Sequence, residues 1–190
     1  MSEDGTDPGA LVIVNGVVNA ARFVMSPNCD ERPAGEAVSL AVIHAISLPP
    51  GEFGGDAVER LFTNRLEADA HPYYRDVHAR RLSAHFFIDR QGRLTQFVPC
   101  HLRAWHAGAS RWRGRDRCND FSIGIELEGC DDRPYAEAQY LALTPLLAVL
   151  LNAYPIADVV GHSDIAPGRK TDPGPNFDWT RLRAELASGV

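Results

Sequence analysis

The chain has 190 residues, 45% of them hydrophobic and 23% charged, the proportions of a globular protein long enough to bury its own core without disulfide or metal staples. No apolar run approaches the roughly 18 residues that span a bilayer. The net charge of −6 opposes broad binding to nucleic acid, whose affinity rests on neutralised phosphates.

Residues 1–8 read as a loose tail and 9–190 as one α/β domain, since neither a repeat nor a low-complexity tract marks a boundary. The first seven residues carry three acids where an export signal would carry positive charge, and Asn15-Gly16 breaks the apolar stretch Leu11–Val18. Both features predict a cytoplasmic chain. The widely spaced Cys29, Cys100, Cys118 and Cys130 then read as reduced packing residues, since no CxxC pair is present.

Val38–Ser47 is a β-branched and aliphatic run of strand length, apolar on both faces, with His44 near its end. After the loop LPPGEFGG, Asp56 and Glu59 have capping-box spacing for a helix whose Ala57, Leu61, Phe62 and Leu66 share one face, ending before His71-Pro72. Ser83–Ile88 and Arg93–Val98 flank a polar, Gly-containing connection and suggest a hairpin. Phe121–Glu128 alternates, with Phe121, Ile123, Ile125 and Leu127 on one face and Glu126 on the other. Ala136–Leu151 has helical length, with a kink expected at Pro145; Asp158–Gly161 is a short strand that delivers His162, and a last helix starts from Asp178. Strands and helices interleave around a hairpin, which predicts a central mixed β-sheet flanked by α-helices.

Of seven histidines, His44 and His162 fall at strand ends, where an α/β sheet opens onto a cleft. His162 also opens a long irregular segment, 162–175, rich in polar groups. Two imidazoles and a carboxylate form a zinc ligand set that leaves a fourth position for water, and spacing leaves Asp164 and Asp172 equally eligible as the carboxylate. Glu126 can serve as a proton carrier beside such an ion, against the plainer reading of a solvated edge acid. Lys170 can stabilise an oxyanion. It is the single Lys among 19 basic residues, which suggests a site needing a compact point cation.

Three other signals are weaker. Gly168-Arg-Lys-Thr171 lacks the first glycine of a phosphate-binding loop at the right spacing. The arginines of 111–117 read as a solvated loop or a grip for an anionic small molecule. Ser163, adjacent to His162 on an extended chain, points away from it and lacks a nucleophile elbow.

The stretches ISLPPGEFGG (46–55), AWHAG (104–108), CNDFSIGIELEG (118–129) and GHSDIAPGRKTDPGPNFDW (161–179) resemble the cytoplasmic 1,6-anhydro-N-acetylmuramyl-L-alanine amidases, over nearly the whole chain. The resemblance implies the fold of the zinc amidases and peptidoglycan recognition proteins, and hydrolysis of the bond between (1,6-anhydro)-N-acetylmuramic acid and L-alanine in muropeptides, as part of peptidoglycan recycling. It implies one zinc ion on His44, His162 and Asp172, with Glu126 as general acid/base and Lys170 as oxyanion stabiliser. Arg81 and Trp105 match positions close to substrate. Ala45 departs from the family, whose members carry Asn after the first ligand. The partner it implies is a small muropeptide; neither nucleic acid nor a membrane is expected, and the sequence leaves the oligomeric state open, with a monomer as the working expectation. A relative of the same fold that binds muropeptide without cutting it is the alternative; a complete set of ligands, acid/base and cation favours the enzyme. An amidase of intact polymeric wall is a third reading.

Overall fold

The computed structural model describes residues 11–189. The tail expected over 1–8 lies outside them. Along the chain run β1 (Ile13–Val14), β2 (Val17–Val18), β3 (Arg22–Phe23), β4 (Cys29–Glu31), β5 (Leu40–Ile46), α1 (Ala57–Phe62), α2 (Tyr74–Val77), β6 (Phe86–Ile88), β7 (Leu94–Gln96), β8 (Leu102–Ala104), β9 (Arg111–Trp112), β10 (Arg115–Asp116), β11 (Ser122–Glu128), α3 (Glu137–Ala153), β12 (Asp158–Gly161), α4 (His162–Ile165) and α5 (Trp179–Ala187).

Six strands form one sheet in the order β12-β5-β11-β6-β7-β3. β12, β5, β11 and β6 are mutually parallel, whereas β7 returns antiparallel to β6. This is the mixed sheet that the hairpin predicts. β5 and β11 are central, so both of their faces are covered. The alternation of β11 therefore separates two buried faces, and all seven of its residues are buried. On one face Ala41, Ile43, Ile123, Ile125 and Leu127 pack against Leu143, Leu146, Leu147 and Leu150 of α3 and Leu182 of α5. Each leucine buried this fully contributes about 1.5–3 kcal/mol. On the opposite face Val58, Leu61 and Phe62 of α1 meet Phe97 and Val98.

Several local expectations need correction. Asp56 precedes α1 without capping it, because its carboxylate is taken by Arg60 at 2.7 Å, while Glu59 pairs with Arg22 and Arg65. α1 stops at Phe62, before Asn64 adopts φ 59°, and Leu66 is buried outside the helix. α3 continues through Pro145. The carbonyl that the missing N–H leaves free belongs to Leu141, a residue 65% exposed, where water can satisfy it. The Leu11–Val18 stretch folds as the β1–β2 hairpin, with Asn15 and Gly16 both at positive φ as a two-residue connection requires. Segment 162–175 begins with a helical turn, α4, instead of being irregular throughout. The arginines of 111–117 are exposed, as a solvated segment predicts, but the segment pairs as the β9–β10 hairpin, with Arg113 on Asp158, Arg115 on Glu36 and Arg117 on Asp120. At the other end of the chain, Asp178 caps α5 as predicted, accepting from the Arg181 amide at 2.9 Å.

Candidate metal centre and active site

The parallel register places His44 of β5 directly beside Glu126 of β11, both on the face away from α3. β12 ends at Gly161, and His162 follows as the first residue of α4, so it arrives next to His44. Asp164, the rival carboxylate, instead accepts from the Gly161 amide at 2.7 Å and caps its own helical turn. The chain then returns through 166–175 and brings Asp172 back beneath the two imidazoles. The Ser163 amide fixes this return by donating to the Asp172 carbonyl at 2.9 Å.

Three ligand atoms converge. His44 Nδ1 lies 2.9 Å from His162 Nδ1 and 3.3 Å from Asp172 Oδ2, and His162 Nδ1 lies 3.0 Å from the same oxygen. Both histidines are buried. The outer ring nitrogens fix which atoms face inward. His162 Nε2 donates to the Ala107 carbonyl at 3.2 Å, which turns Nδ1 inward toward Asp172 Oδ2 at 3.0 Å. His44 Nε2 lies 2.9 Å from His106 Nδ1, and His106 Nε2 lies 3.1 Å from Ser122 Oγ, which donates to the Cys118 carbonyl at 2.6 Å. Followed from that carbonyl upward, each N–H donates outward and His44 also presents a bare Nδ1.

Burial drives His44 down to about 4, so the ring is neutral near pH 7. Three candidate ligand atoms thus crowd one point, all within 4.8 Å of one another. A bound cation relieves that arrangement, and the His-His-Asp group can hold a metal ion.

Glu126 is 8% exposed, which overturns the reading of a solvated edge acid. Its Oε2 is buried with no hydrogen-bond partner among the described residues. Burial first, and then the charge of Asp172, pushes its carboxyl well above the ordinary range, the condition of a group built to hold and release a proton. Two shallow grooves share Arg169 and Lys170. One is lined by Ala45, Ser47, Tyr73, Lys170 and Asp172, the other by Arg81, Trp105, His106, His162 and Lys170. Lys170 borders both. Arg81 is exposed, and Trp105 is anchored by its indole N–H on Asp30 at 3.1 Å. Of the seven residues singled out from the sequence, Arg81, Trp105, His162, Lys170 and Asp172 line these grooves, and His44 and Glu126 sit side by side on β5 and β11. Ala45 adds its backbone amide, 3.4 Å from Asp172 Oδ2.

Sequence reasoning misses the layer behind the ligands. His106 and Asn119 both lie in stretches that carry the family resemblance, yet nothing in their sequence context assigns them a role. Gly124 reads from the sequence only as one member of an alternation. In the structure it leaves room for the His106 ring, whose Cγ would stand 2.4 Å from a Cβ at that position. The available signal is a glycine in a central strand, which marks a close approach.

A sequence family described as N-acetylmuramoyl-L-alanine amidase matches residues 34–175. The chain is 53% identical over 180 residues to the 1,6-anhydro-N-acetylmuramyl-L-alanine amidase AmpD of Enterobacter cloacae, covering 94% of this chain and 96% of that protein. It is 50% identical over 175 residues to the AmpD of Escherichia coli K12, covering 91% and 96%. Among solved structures, the crystal structure of a selenomethionine AmpD derivative superposes with a TM-score of 0.90 at 52% identity, covering 92% of this chain and 99% of the other. The amidase AmiD of Escherichia coli, solved with anhydro-N-acetylmuramic acid-L-Ala-D-gamma-Glu-L-Lys, superposes with a TM-score of 0.60 at 30% identity, covering 93% and 65%.

Proposed function

The chain belongs to the N-acetylmuramoyl-L-alanine amidase family, and on that premise we propose that it is a zinc-dependent hydrolase of the amide bond between 1,6-anhydro-N-acetylmuramic acid and L-alanine in muropeptides, acting in cell-wall recycling. The observation that carries this reading is the convergence of His44 Nδ1, His162 Nδ1 and Asp172 Oδ2 beside the unpartnered carboxyl of Glu126. A tetrahedral ion with bonds of about 2.0–2.1 Å needs ligand atoms roughly 3.3 Å apart. The three separations here are 2.9, 3.0 and 3.3 Å, so the residues fit the ion.

Zinc held there supplies Lewis acidity, which brings the pKa of water toward about 7 and polarises a carbonyl. Glu126 takes a proton from the attacking water at its inward carboxyl and returns it to the departing amine of L-alanine, so one group serves as base and then as acid. Its surroundings suit both roles, since an Oε2 with no hydrogen-bond partner among the described residues is free to take up and release the proton. Lys170, standing where the two grooves join, faces the carbonyl oxygen as negative charge develops on it. Trp105 and Arg81 border the second groove and offer an aromatic face and a cation to the sugar and the peptide carboxylates.

The cytoplasm is part of this reading. All four cysteines are free thiols, as a reducing compartment keeps them. One chain carries the whole residue set, so a monomer suffices. The deciding experiment incubates zinc-replete protein with anhydro-muropeptide and, separately, with intact sacculi. Release of the L-alanine-terminated peptide from the soluble substrate in large preference to sacculi is expected. Binding of muropeptide without release would overturn the hydrolase reading, and equal action on sacculi would overturn the recycling role.

A further inference from the structure

The two metal-facing histidines are separated by 118 positions in sequence, yet their outer nitrogens rest on two consecutive residues. His44 Nε2 meets the His106 ring at 2.9 Å, and His162 Nε2 donates to the Ala107 carbonyl at 3.2 Å. Both backbone amides of this pair meet one side chain: Asn119 Oδ1 accepts from the His106 amide at 3.1 Å and from the Ala107 amide at 2.8 Å, while Arg169 Nη2 donates to the Ala107 carbonyl at 2.8 Å. Asn119 is itself pinned from behind. Its carbonyl accepts from the Arg32 guanidinium at 3.1 Å, and that half-buried guanidinium also holds the carbonyls of Asp120, Cys100 and Ser122. A path of hydrogen bonds thus leads from Arg32 through Asn119 to both imidazoles.

We propose that Asn119 is a positioning residue for the metal centre: without touching either ligand, it sets the tautomer and ring plane of His44 and His162 together by holding the 106–107 backbone. Partners that orient ligating histidines typically govern metal affinity by 10–100-fold. Asn119 acts on two ligands at once, where most such partners act on one. An amide oxygen is the acceptor this role requires, since it takes two N–H bonds without itself donating to either.

The inference rests on the proposed zinc reading, and the test separates the two. Zinc affinity is measured by chelator competition for wild type, Asn119→Ala and Asn119→Asp, with far-ultraviolet circular dichroism to confirm the fold. In parallel, nitrogen-15 spectra of the metal-free proteins report the imidazole tautomers. The expected result is that Asn119→Ala binds zinc roughly 10–100-fold more weakly and shows mixed tautomers at His44 and His162, while Asn119→Asp, which keeps the accepting oxygen, stays near wild type. Failure of the wild type to bind zinc would strike the functional reading, and the tautomer spectra would still judge this one. A folded Asn119→Ala with wild-type affinity and tautomers would overturn the inference, as would an Asn119→Asp weakened as much as Asn119→Ala. Should the alanine variant not fold, Asn119→Ser, whose hydroxyl falls short of both amides, is read the same way.

Discussion

Gly124→Ala probes the support beneath His44 from the opposite side. A Cβ at this position would lie 2.4 Å from Cγ, 2.6 Å from Cδ2 and 2.7 Å from Nδ1 of His106. Carbon atoms rest comfortably about 3.5–4.0 Å apart, so the ring must retreat by about 1 Å. β11 cannot yield, because it is hydrogen-bonded to β5 and β6 on its two edges. The imidazole can, because it borders a groove. Retreat breaks its contacts with His44 Nε2 and Ser122 Oγ and leaves the outer nitrogen of His44 unpaired. Overpacking of this kind costs about 1–3 kcal/mol of stability, and loss of the orienting partner lowers metal affinity by roughly 10–100-fold. Urea denaturation reads the first quantity and chelator competition the second. A Gly124→Ala protein with the wild-type midpoint and wild-type zinc affinity would refute the claim that His106 is wedged between this strand and the ligand.

Three further outcomes follow from the same geometry. Glu126→Gln keeps the shape and removes the exchangeable proton, so turnover of anhydro-muropeptide falls by a factor on the order of 10²–10⁴ while bound metal, read by elemental analysis, is unchanged. Lys170→Ala loses a factor on the order of 10²–10³ in turnover with metal retained, and Lys170→Arg recovers little of it, because a planar guanidinium does not replace a compact ammonium; steady-state rates with bound zinc confirmed are the check. His85 is fully buried and held down to about 3 by burial and then by the charge of Arg32, whereas the unfolded chain titrates near 6.5. Between those values the unfolded chain binds the proton that the fold refuses. The stability that the neutral ring contributes is therefore complete above about 6.5 and lost on acidification, by up to ~1.4 kcal/mol per pH unit from this residue. Urea midpoints at pH 5 and 7 should show a shallower dependence for His85→Asn than for wild type, and identical slopes would contradict the assignment.

The parts of this molecule legible in its sequence are those that repeat a pattern or interrupt one. β5 and β11 announce themselves because a central strand buried on both faces must be aliphatic along its length, which makes His44 and Glu126 stand out as intrusions. β12 matches its expected bounds for the same reason, and His162 follows it. The two-residue strands β1, β2, β9 and β10 have no length over which a period can develop. The choice between Asp164 and Asp172 is not legible from spacing, because it depends on which carboxylate the helical turn after β12 consumes as a cap. Asn119 is silent for a related reason: it accepts from two backbone N–H groups, and such groups leave no trace in side-chain chemistry.

In the proposed reaction two distant imidazoles and one carboxylate share a single zinc ion that turnover needs. The metal content of the purified chain is determined, and peptide release from anhydro-muropeptide is followed before chelation, after it, and after zinc is restored. About one zinc per chain, loss of release on chelation and its return with zinc, and loss of both metal and release in His162→Ala are expected. Undiminished release from metal-free protein would contradict that requirement.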